Sequence, residues 1–166
     1  MTPTPAARLR RSVWLPNLAT FLLLAVFIGL AYLAQSLFPP RFDRDFLLAA
    51  GVLMSLVPAV LWIAFFYRMD ANEPEPKGMI VRVFLLGALL ASGLGLPLTG
   101  LFELPEWLYA APWVTLLGAV LVIGFTQEFL KYAAVRFSVY RSLEFSERTD
   151  GIIYSVAAGL GYATVL

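Results

Sequence analysis

Five long runs of apolar side chains alternate with short polar breaks along the chain. A helix needs about 20 apolar residues to cross a bilayer core of about 30 Å. The first four runs reach that length, and the last stops short of it. The pattern therefore predicts an all-α fold: a polytopic integral membrane helical bundle with about five transmembrane helices. The predicted spans are about 14–38, 46–67, 79–102, 107–135 and 152–166.

The flanks of these runs delimit the predicted domains. Residues 1–13 are expected to form a cytoplasmic N-terminal tail, and residues 14–166 a helical membrane domain. Because the last run has no closing polar flank, we expect the sequence to be an N-terminal fragment. A cleaved signal peptide is an alternative for the first run. That run exceeds the 7 to 15 residues of a typical signal core, which favours a retained helix.

The composition agrees with a membrane protein and narrows the possible chemistry. The chain has 166 residues, of which 60% are hydrophobic and only 14% charged, with a mean hydropathy of +0.80. Soluble domains carry about 25% charged residues. The sequence contains neither Cys nor His. Disulfides, thiolate sites and imidazole chemistry are therefore excluded within this chain, and carboxylates, Lys and Tyr remain for acid–base catalysis or metal binding.

Basic residues predict the orientation in the membrane, because they concentrate in cytoplasmic loops. The N-terminal tail, the second loop and the fourth loop carry most of them, which places the N-terminus in the cytoplasm. Only Arg41 and Arg44 lie on the opposite side. The residues on the predicted cytoplasmic side are Arg8, Arg10, Arg11, Arg68, Lys77, Arg82, Arg136, Arg141 and Arg148.

Three polar residues occur within the fourth predicted helix, at Gln127, Glu128 and Lys131. Their i, i+3 and i+4 spacing places them on one surface and predicts an ion pair between Glu128 and Lys131. Charges within a membrane span usually face the protein interior or a water-filled cavity. A carboxylate held there suits a general base or a metal ligand. The simpler interpretation is that the helix ends near Gln127 and the pair reaches into the headgroups.

Two features mark the fifth predicted helix. Asp150 precedes it, either as an N-cap or as part of a polar pocket shared with Glu128 and Lys131. Small residues then recur at every fourth position, at Gly151, Ser155, Gly159 and Ala163. Such a stripe predicts close approach by another helix, with the fourth helix as the sequential neighbour.

Three stretches together resemble the PrsW family of bacterial intramembrane proteases. In chain order they are FYRMDANEPEP with the following RVFLLG, then GFTQEFLKY, then DGIIYSVAAGLGYAT, and the resemblance runs from about Phe65 to the end. The family's second motif is a Glu-Glu pair and then, after two further residues, Lys. These positions fall on Gln127, Glu128 and Lys131. The family's Asp before Gly-Ile falls on Asp150.

The resemblance implies an intramembrane endopeptidase of the bacterial inner membrane, related to the proteases that process prenylated proteins. Its expected partners are the lipid bilayer and a membrane-anchored protein substrate such as an anti-sigma factor, with no nucleic acid. The resemblance allows two mechanisms for the complete protein, in which the water is activated either by a divalent metal such as zinc or by carboxylates alone. Glu128 would be the metal ligand in this chain, although a chain without His or Cys offers a poor zinc site. The resemblance assigns Gln127, Glu128, Lys131 and Asp150 to the catalytic site.

Two departures from the family pattern leave alternatives open. Gln127 replaces a glutamate, and a neutral amide cannot serve as a general base. The family also continues with an acidic residue, an Asn and a later helix with a His, all beyond this sequence. We therefore expect that the chain alone does not cleave peptides. The alternatives are an inactive scaffold or pseudoprotease that binds transmembrane segments, and a transporter subunit in which Glu128 and Lys131 line an ion path.

Overall fold

The protein is built from α-helices throughout the part of the chain that the structure describes. A computed structural model describes residues 14–37, 43–69, 75–103 and 105–166, and these ranges contain no β-strand. The predicted all-α fold class is therefore confirmed. The predicted tail at 1–13 lies outside the described residues.

Seven α-helices, two π-helical segments and one 3₁₀-helix follow one another in the described ranges. The first π segment lies between α3 and α4, and the second lies between α5 and α6. The elements are α1 Trp14–Leu37, α2 Arg44–Met69, α3 Lys77–Leu90, π Ala91–Gly95, α4 Leu96–Glu103, 3₁₀ Glu106–Tyr109, α5 Pro112–Gly118, π Ala119–Gly124, α6 Phe125–Arg136 and α7 Arg148–Val165.

The chain divides into two compact units, Met1–Leu47 and Leu48–Leu166. The first unit contains α1, which includes the apolar stretch Leu18–Ala34. The second contains most of α2, all later helices and both polar clusters.

Three continuous helical stretches in the described residues are long and apolar enough to cross a membrane: Arg44–Met69, Lys77–Glu103 and Pro112–Arg136. They coincide with the second, third and fourth predicted spans. A multi-pass membrane protein follows from these stretches. The helices α1 and α7 occupy the first and fifth predicted spans.

The start of the fourth span differs from the prediction. Trp107 belongs to the short 3₁₀-helix, and the long helix begins only at Pro112. Proline is favoured in the first turn of a helix because its fixed φ fits that turn and no backbone N–H is needed there. The apolar pattern alone did not separate these two elements, since both are hydrophobic.

The core of the second unit lies where α7 packs against α3, with α6 as the next neighbour. Two glycines allow close approach of the backbones. A Cβ at Gly87 would overlap the Ala158 carbonyl, and one at Gly161 would overlap the Phe84 carbonyl. Buried Ala157 and Ala158 lie between these glycines on the same interface.

The small-residue stripe was therefore predicted on the wrong face of α7. Ser155 and Ala163 are exposed, and a Cβ added to Gly159 would meet no atom within 4 Å. The close partner is α3 and not the sequentially adjacent helix. Small residues occur on more than one face of this helix, so spacing alone does not identify the packed one.

We predict that Gly161→Ala destabilises the chain by about 1–3 kcal/mol, because the added methyl group forces α3 and α7 apart. Gly159→Ala is the matched control in the same helix, and we expect it to be neutral or to stabilise by up to about 1 kcal/mol through helix propensity. Thermal unfolding in detergent micelles, followed by circular dichroism, measures both. Equal stability of the two variants would contradict the assigned interface.

Candidate functional site

A short polar face interrupts the apolar surface of α6. Gln127, Glu128 and Lys131 lie on neighbouring turns of this helix. The Lys131 ammonium donates a hydrogen bond of 2.7 Å to Oε1 of Glu128, and the two residues form an i, i+3 salt bridge. The predicted pairing of these charges is confirmed.

The described residues do not enclose this pair. The Glu128 side chain is 74% exposed and that of Lys131 is 25% exposed. Gln127 is half-buried, and Leu130, three residues further along the helix, is buried. The expected cavity around Glu128 is therefore absent from the described part of the chain. Lys131 turns inward and Glu128 outward, so the carboxylate is accessible to a molecule outside the described helices.

A buried aromatic ring from α7 forms the inner end of this site. Tyr162 has no exposed surface, and the Lys131 ammonium lies 5.5 Å from its ring centroid, within cation–π range. The Tyr162 hydroxyl has no hydrogen-bond partner among the described residues. A Cβ at Gly95 would overlap this hydroxyl. Lys131 is therefore held between Glu128 and the Tyr162 ring, and Gly95 leaves space for the ring.

Wide π-helical turns lie on both sides of the site. The first π segment contains Gly95 and contacts α6, while the second leads directly into α6. Pro97 explains the first, because its ring clashes with the carbonyl of Gly93, four residues earlier, and prevents a regular α-turn. The Thr99 hydroxyl donates a hydrogen bond of 2.8 Å to the Gly95 carbonyl. Single π turns are rare and occur often at functional sites.

We predict that Gly95→Ala destabilises the chain and that Tyr162→Phe reverses the effect. The alanine methyl group would overlap the Tyr162 hydroxyl, and phenylalanine removes that hydroxyl while keeping the ring beside Lys131. Tyr162→Phe alone should be neutral or stabilise by about 1–3 kcal/mol, because an unpaired buried hydroxyl is lost.

Unfolding free energies of the two single variants and the double variant measure this coupling, which we expect at about 0.5–3 kcal/mol. Additive effects would contradict direct contact between Gly95 and Tyr162. Gly93→Ala is the matched control, because a Cβ there meets nothing within 4 Å.

The second polar cluster lies at the start of α7, and Asp150 is its centre. The N-cap of this helix is Glu147, and Asp150 occupies the N3 position of a capping box. Oδ2 of Asp150 accepts hydrogen bonds from the Glu147 and Ser146 amides at 2.6 and 2.7 Å. The N-cap therefore lies three residues before the predicted position, at Glu147 instead of Asp150. Asp150 nevertheless accepts hydrogen bonds from backbone amides at the start of the helix.

Glu75 and Tyr154 complete this cluster, and the sequence analysis missed both. The Tyr154 hydroxyl donates a hydrogen bond to Oε2 of Glu75, and the Glu75 side chain interacts with Asp150. All three side chains are buried. The available signal was Glu75 itself, a carboxylate between two prolines just before an apolar run.

Asp150 and Glu128 do not share a pocket, contrary to the alternative that the sequence left open. Asp150 lies at the first turn of α7, whereas Tyr162, which contacts Lys131, lies twelve residues later. At 1.5 Å per residue, this separation is about 18 Å along the helix axis. The cluster of Glu75, Tyr154 and Asp150 therefore anchors one end of α7, and the polar face of α6 contacts the other end.

We predict that Asp150 makes the stability of the chain dependent on pH. Burial raises the pKa of Asp150, but hydrogen bonds donated by the Glu147 and Ser146 amides, together with the interaction with the Glu75 side chain, lower it below the ordinary value of 3.8. A group with a lowered pKa stabilises the fold above its unfolded-state pKa and loses that effect as pH falls through the folded-state pKa. The loss should therefore occur below about pH 3.8.

Thermal unfolding between pH 2 and 7 tests this dependence. At pH 7, Asp150→Asn should lower stability by about 1 kcal/mol, and the difference from the unaltered chain should shrink as the pH falls below 4. Glu106→Gln, which neutralises an exposed acid, should leave the profile unchanged. A constant difference across the pH range would contradict the role assigned to Asp150.

The described residues do not form a metal site by themselves. Zinc takes three or four ligands from Cys, His and carboxylates, and this chain has no Cys or His. No three acidic residues come together within the described ranges. At the polar face of α6, Glu128 is paired with Lys131, and the neighbouring Gln127 adds only a neutral amide oxygen. This donor set does not fit a metal ion.

The part of the sequence that forms both polar clusters matches one protein family. A sequence model described as the PrsW family intramembrane metalloprotease matches residues 75–165, which is more than half of the chain. The matched region begins at Glu75 and includes α6, Asp150 and Tyr162.

Curated relatives agree with this match. Proteins named "Protease PrsW" from Halalkalibacterium halodurans and Geobacillus kaustophilus are 37% and 36% identical over 67% and 72% of this chain. The corresponding Bacillus subtilis protein is 29% identical over 70% of the chain. The aligned regions make up 49%, 49% and 51% of these relatives, so the chain spans about half their length. No solved structure matches it.

Proposed function

The chain belongs to the PrsW family of intramembrane metalloproteases, and we propose that it acts in the cleavage of membrane-anchored proteins. The observation that carries the proposal is the Glu128–Lys131 pair on a helix long and apolar enough to cross a membrane. Such intramembrane charges usually mark functional sites. The exposed Glu128 carboxylate is accessible from outside the described helices, as cleavage of a separate substrate chain requires.

In the proposed reaction, Glu128 is the general base. Its carboxylate accepts a proton from a water molecule as the water oxygen attacks the peptide carbonyl carbon, and the leaving amine must gain a proton as the peptide bond breaks. Lys131 orients the carboxylate through its 2.7 Å hydrogen bond, and Tyr162 positions Lys131. Asp150 contributes indirectly, because it caps the helix that carries Tyr162.

Gln127 stands where the family pattern has a second carboxylate, so we propose that it limits the activity of this chain. An amide can hold a water molecule by hydrogen bonds but cannot accept its proton at neutral pH. Glu128 alone is left to act as the base. A glutamate at position 127 would restore a second carboxylate beside it on the same helix.

We predict that Gln127→Glu raises substrate cleavage and that Glu128→Gln abolishes it in the protein expressed from its complete reading frame. Removal of a general base typically lowers the rate by about 10²–10⁴-fold. Cleavage of a reporter with a single membrane-spanning segment, scored by immunoblot, measures the effect. Glu106→Gln is the control, because it neutralises a carboxylate outside the site. Unchanged cleavage in both site variants would refute the assignment.

A second candidate function is a non-catalytic scaffold that binds transmembrane segments, and Gln127 favours it. Such a scaffold would retain the same reporter equally well with glutamine or glutamate at position 127 and would cut it with neither. Co-purification of the uncut reporter therefore separates the two functions.

For substrate and location, we propose a membrane-anchored protein such as an anti-sigma factor, in the bacterial inner membrane. The bacterial relatives and the excess of basic residues in the predicted cytoplasmic loops support this location, with the N-terminus in the cytoplasm.

A further inference from the structure

An apolar groove of about 470 Å³ lies between α2 and α3, away from the polar face of α6. Its floor is Ile80, which is buried in the core. The groove exists because α2 packs loosely, with only 6% of its most apolar window buried. Its walls are apolar along most of their length and include Leu56, Val60, Ala64, Val81, Phe84 and Leu85.

One end of the groove carries a cation. Lys77, the first residue of α3, lines the groove, and its ammonium lies 5.7 Å from the ring centroid of Tyr67 near the end of α2. Leu85 at the other end lies eight residues further along α3, or about 12 Å at 1.5 Å per residue. The groove therefore runs from a positively charged, aromatic end into a purely apolar section.

Within the described ranges, no carboxylate forms a salt bridge with the Lys77 ammonium. Glu75, two residues earlier, is buried and accepts the hydrogen bond of Tyr154 instead. The cation at the end of the groove is therefore available to an anionic ligand.

We propose that this groove binds an anionic phospholipid, with its phosphate at Lys77 and one acyl chain between α2 and α3. Tyrosine and lysine at helix ends are typical of the membrane–water interface, where phospholipid phosphates lie. The apolar section continues from that level into the span, as an acyl chain does. Basic pockets between membrane helices bind anionic headgroups in the same way.

The single positive charge of Lys77 favours a lipid over a transmembrane protein segment as the ligand of this groove. A protein helix would need an acidic side chain at the level of Lys77, whereas an anionic lipid presents its phosphate at that level. The groove is also separate from Glu128, so lipid binding does not depend on peptide cleavage.

Selective lipid retention tests the proposal. The full chain is purified from micelles that contain equal amounts of phosphatidylglycerol and phosphatidylcholine, and native mass spectrometry measures the bound lipid. We expect the unaltered chain to retain phosphatidylglycerol several-fold over phosphatidylcholine and Lys77→Gln to abolish this preference. Arg82→Gln is the matched control, because Arg82 is a cation of the same helix that lines a different pocket.

A second pair of variants tests the acyl-chain position. Ala64→Phe fills the groove and should reduce retention of both lipids, whereas Ala49→Phe, at an exposed position of the same helix, should not. Equal retention of both lipids by the unaltered chain, or a preference that survives Lys77→Gln, would overturn the proposal.

The two lysines of the chain, Lys77 and Lys131, provide an independent measurement. After reductive ¹³C-methylation, phosphatidylglycerol added to phosphatidylcholine bicelles should shift the Lys77 signal saturably and leave the Lys131 signal unchanged. A shift of the Lys77 signal on addition of a single-span peptide, with no response to phosphatidylglycerol, would assign the groove to protein and overturn the proposal.

Discussion

The close approach of α3 and α7 is the constraint on which the rest of the second unit depends. Gly87 and Gly161 remove the two Cβ atoms that would otherwise hold these backbones apart. Because α7 lies so near α3, its Tyr154 reaches Glu75 and its Tyr162 reaches Gly95. Tyr154 thereby links the buried interface to Glu75, and Tyr162 places its ring beside Lys131.

The two clusters place charge in different environments. Asp150 accepts two backbone amides and is buried, so its negative charge is stabilised locally. Glu128 has Lys131 as its partner and is largely exposed. The first arrangement suits a permanent structural role at the start of α7. The second leaves the carboxylate oxygens of Glu128 accessible, which suits a role in proton transfer. In this cluster the cation, Lys131, also contacts the Tyr162 ring.

Much of the architecture could be predicted because membrane helices have strong local signals. Apolar runs of about 20 residues gave the three long spans, and i, i+3 spacing gave the pairing of Glu128 with Lys131. Predictions of which helix packs against a given residue were less successful. The stripe through Gly159 was assigned to the wrong interface, and Glu75 was not recognised as a partner of Asp150, because neither position reveals in sequence which helix packs against it.

The sequence by itself determined the helical fold class, the family and the polar face of α6. These properties depend on composition, local spacing and motif order along one segment. The tertiary structure alone decided that α7 packs on α3, that Asp150 joins Glu75 rather than Glu128, and that Tyr162 holds Lys131. These contacts join residues far apart in the chain, and several faces of each apolar helix could have formed them. The position of each glycine relative to a neighbouring backbone selected one face, because only there can two helices approach without a Cβ between them.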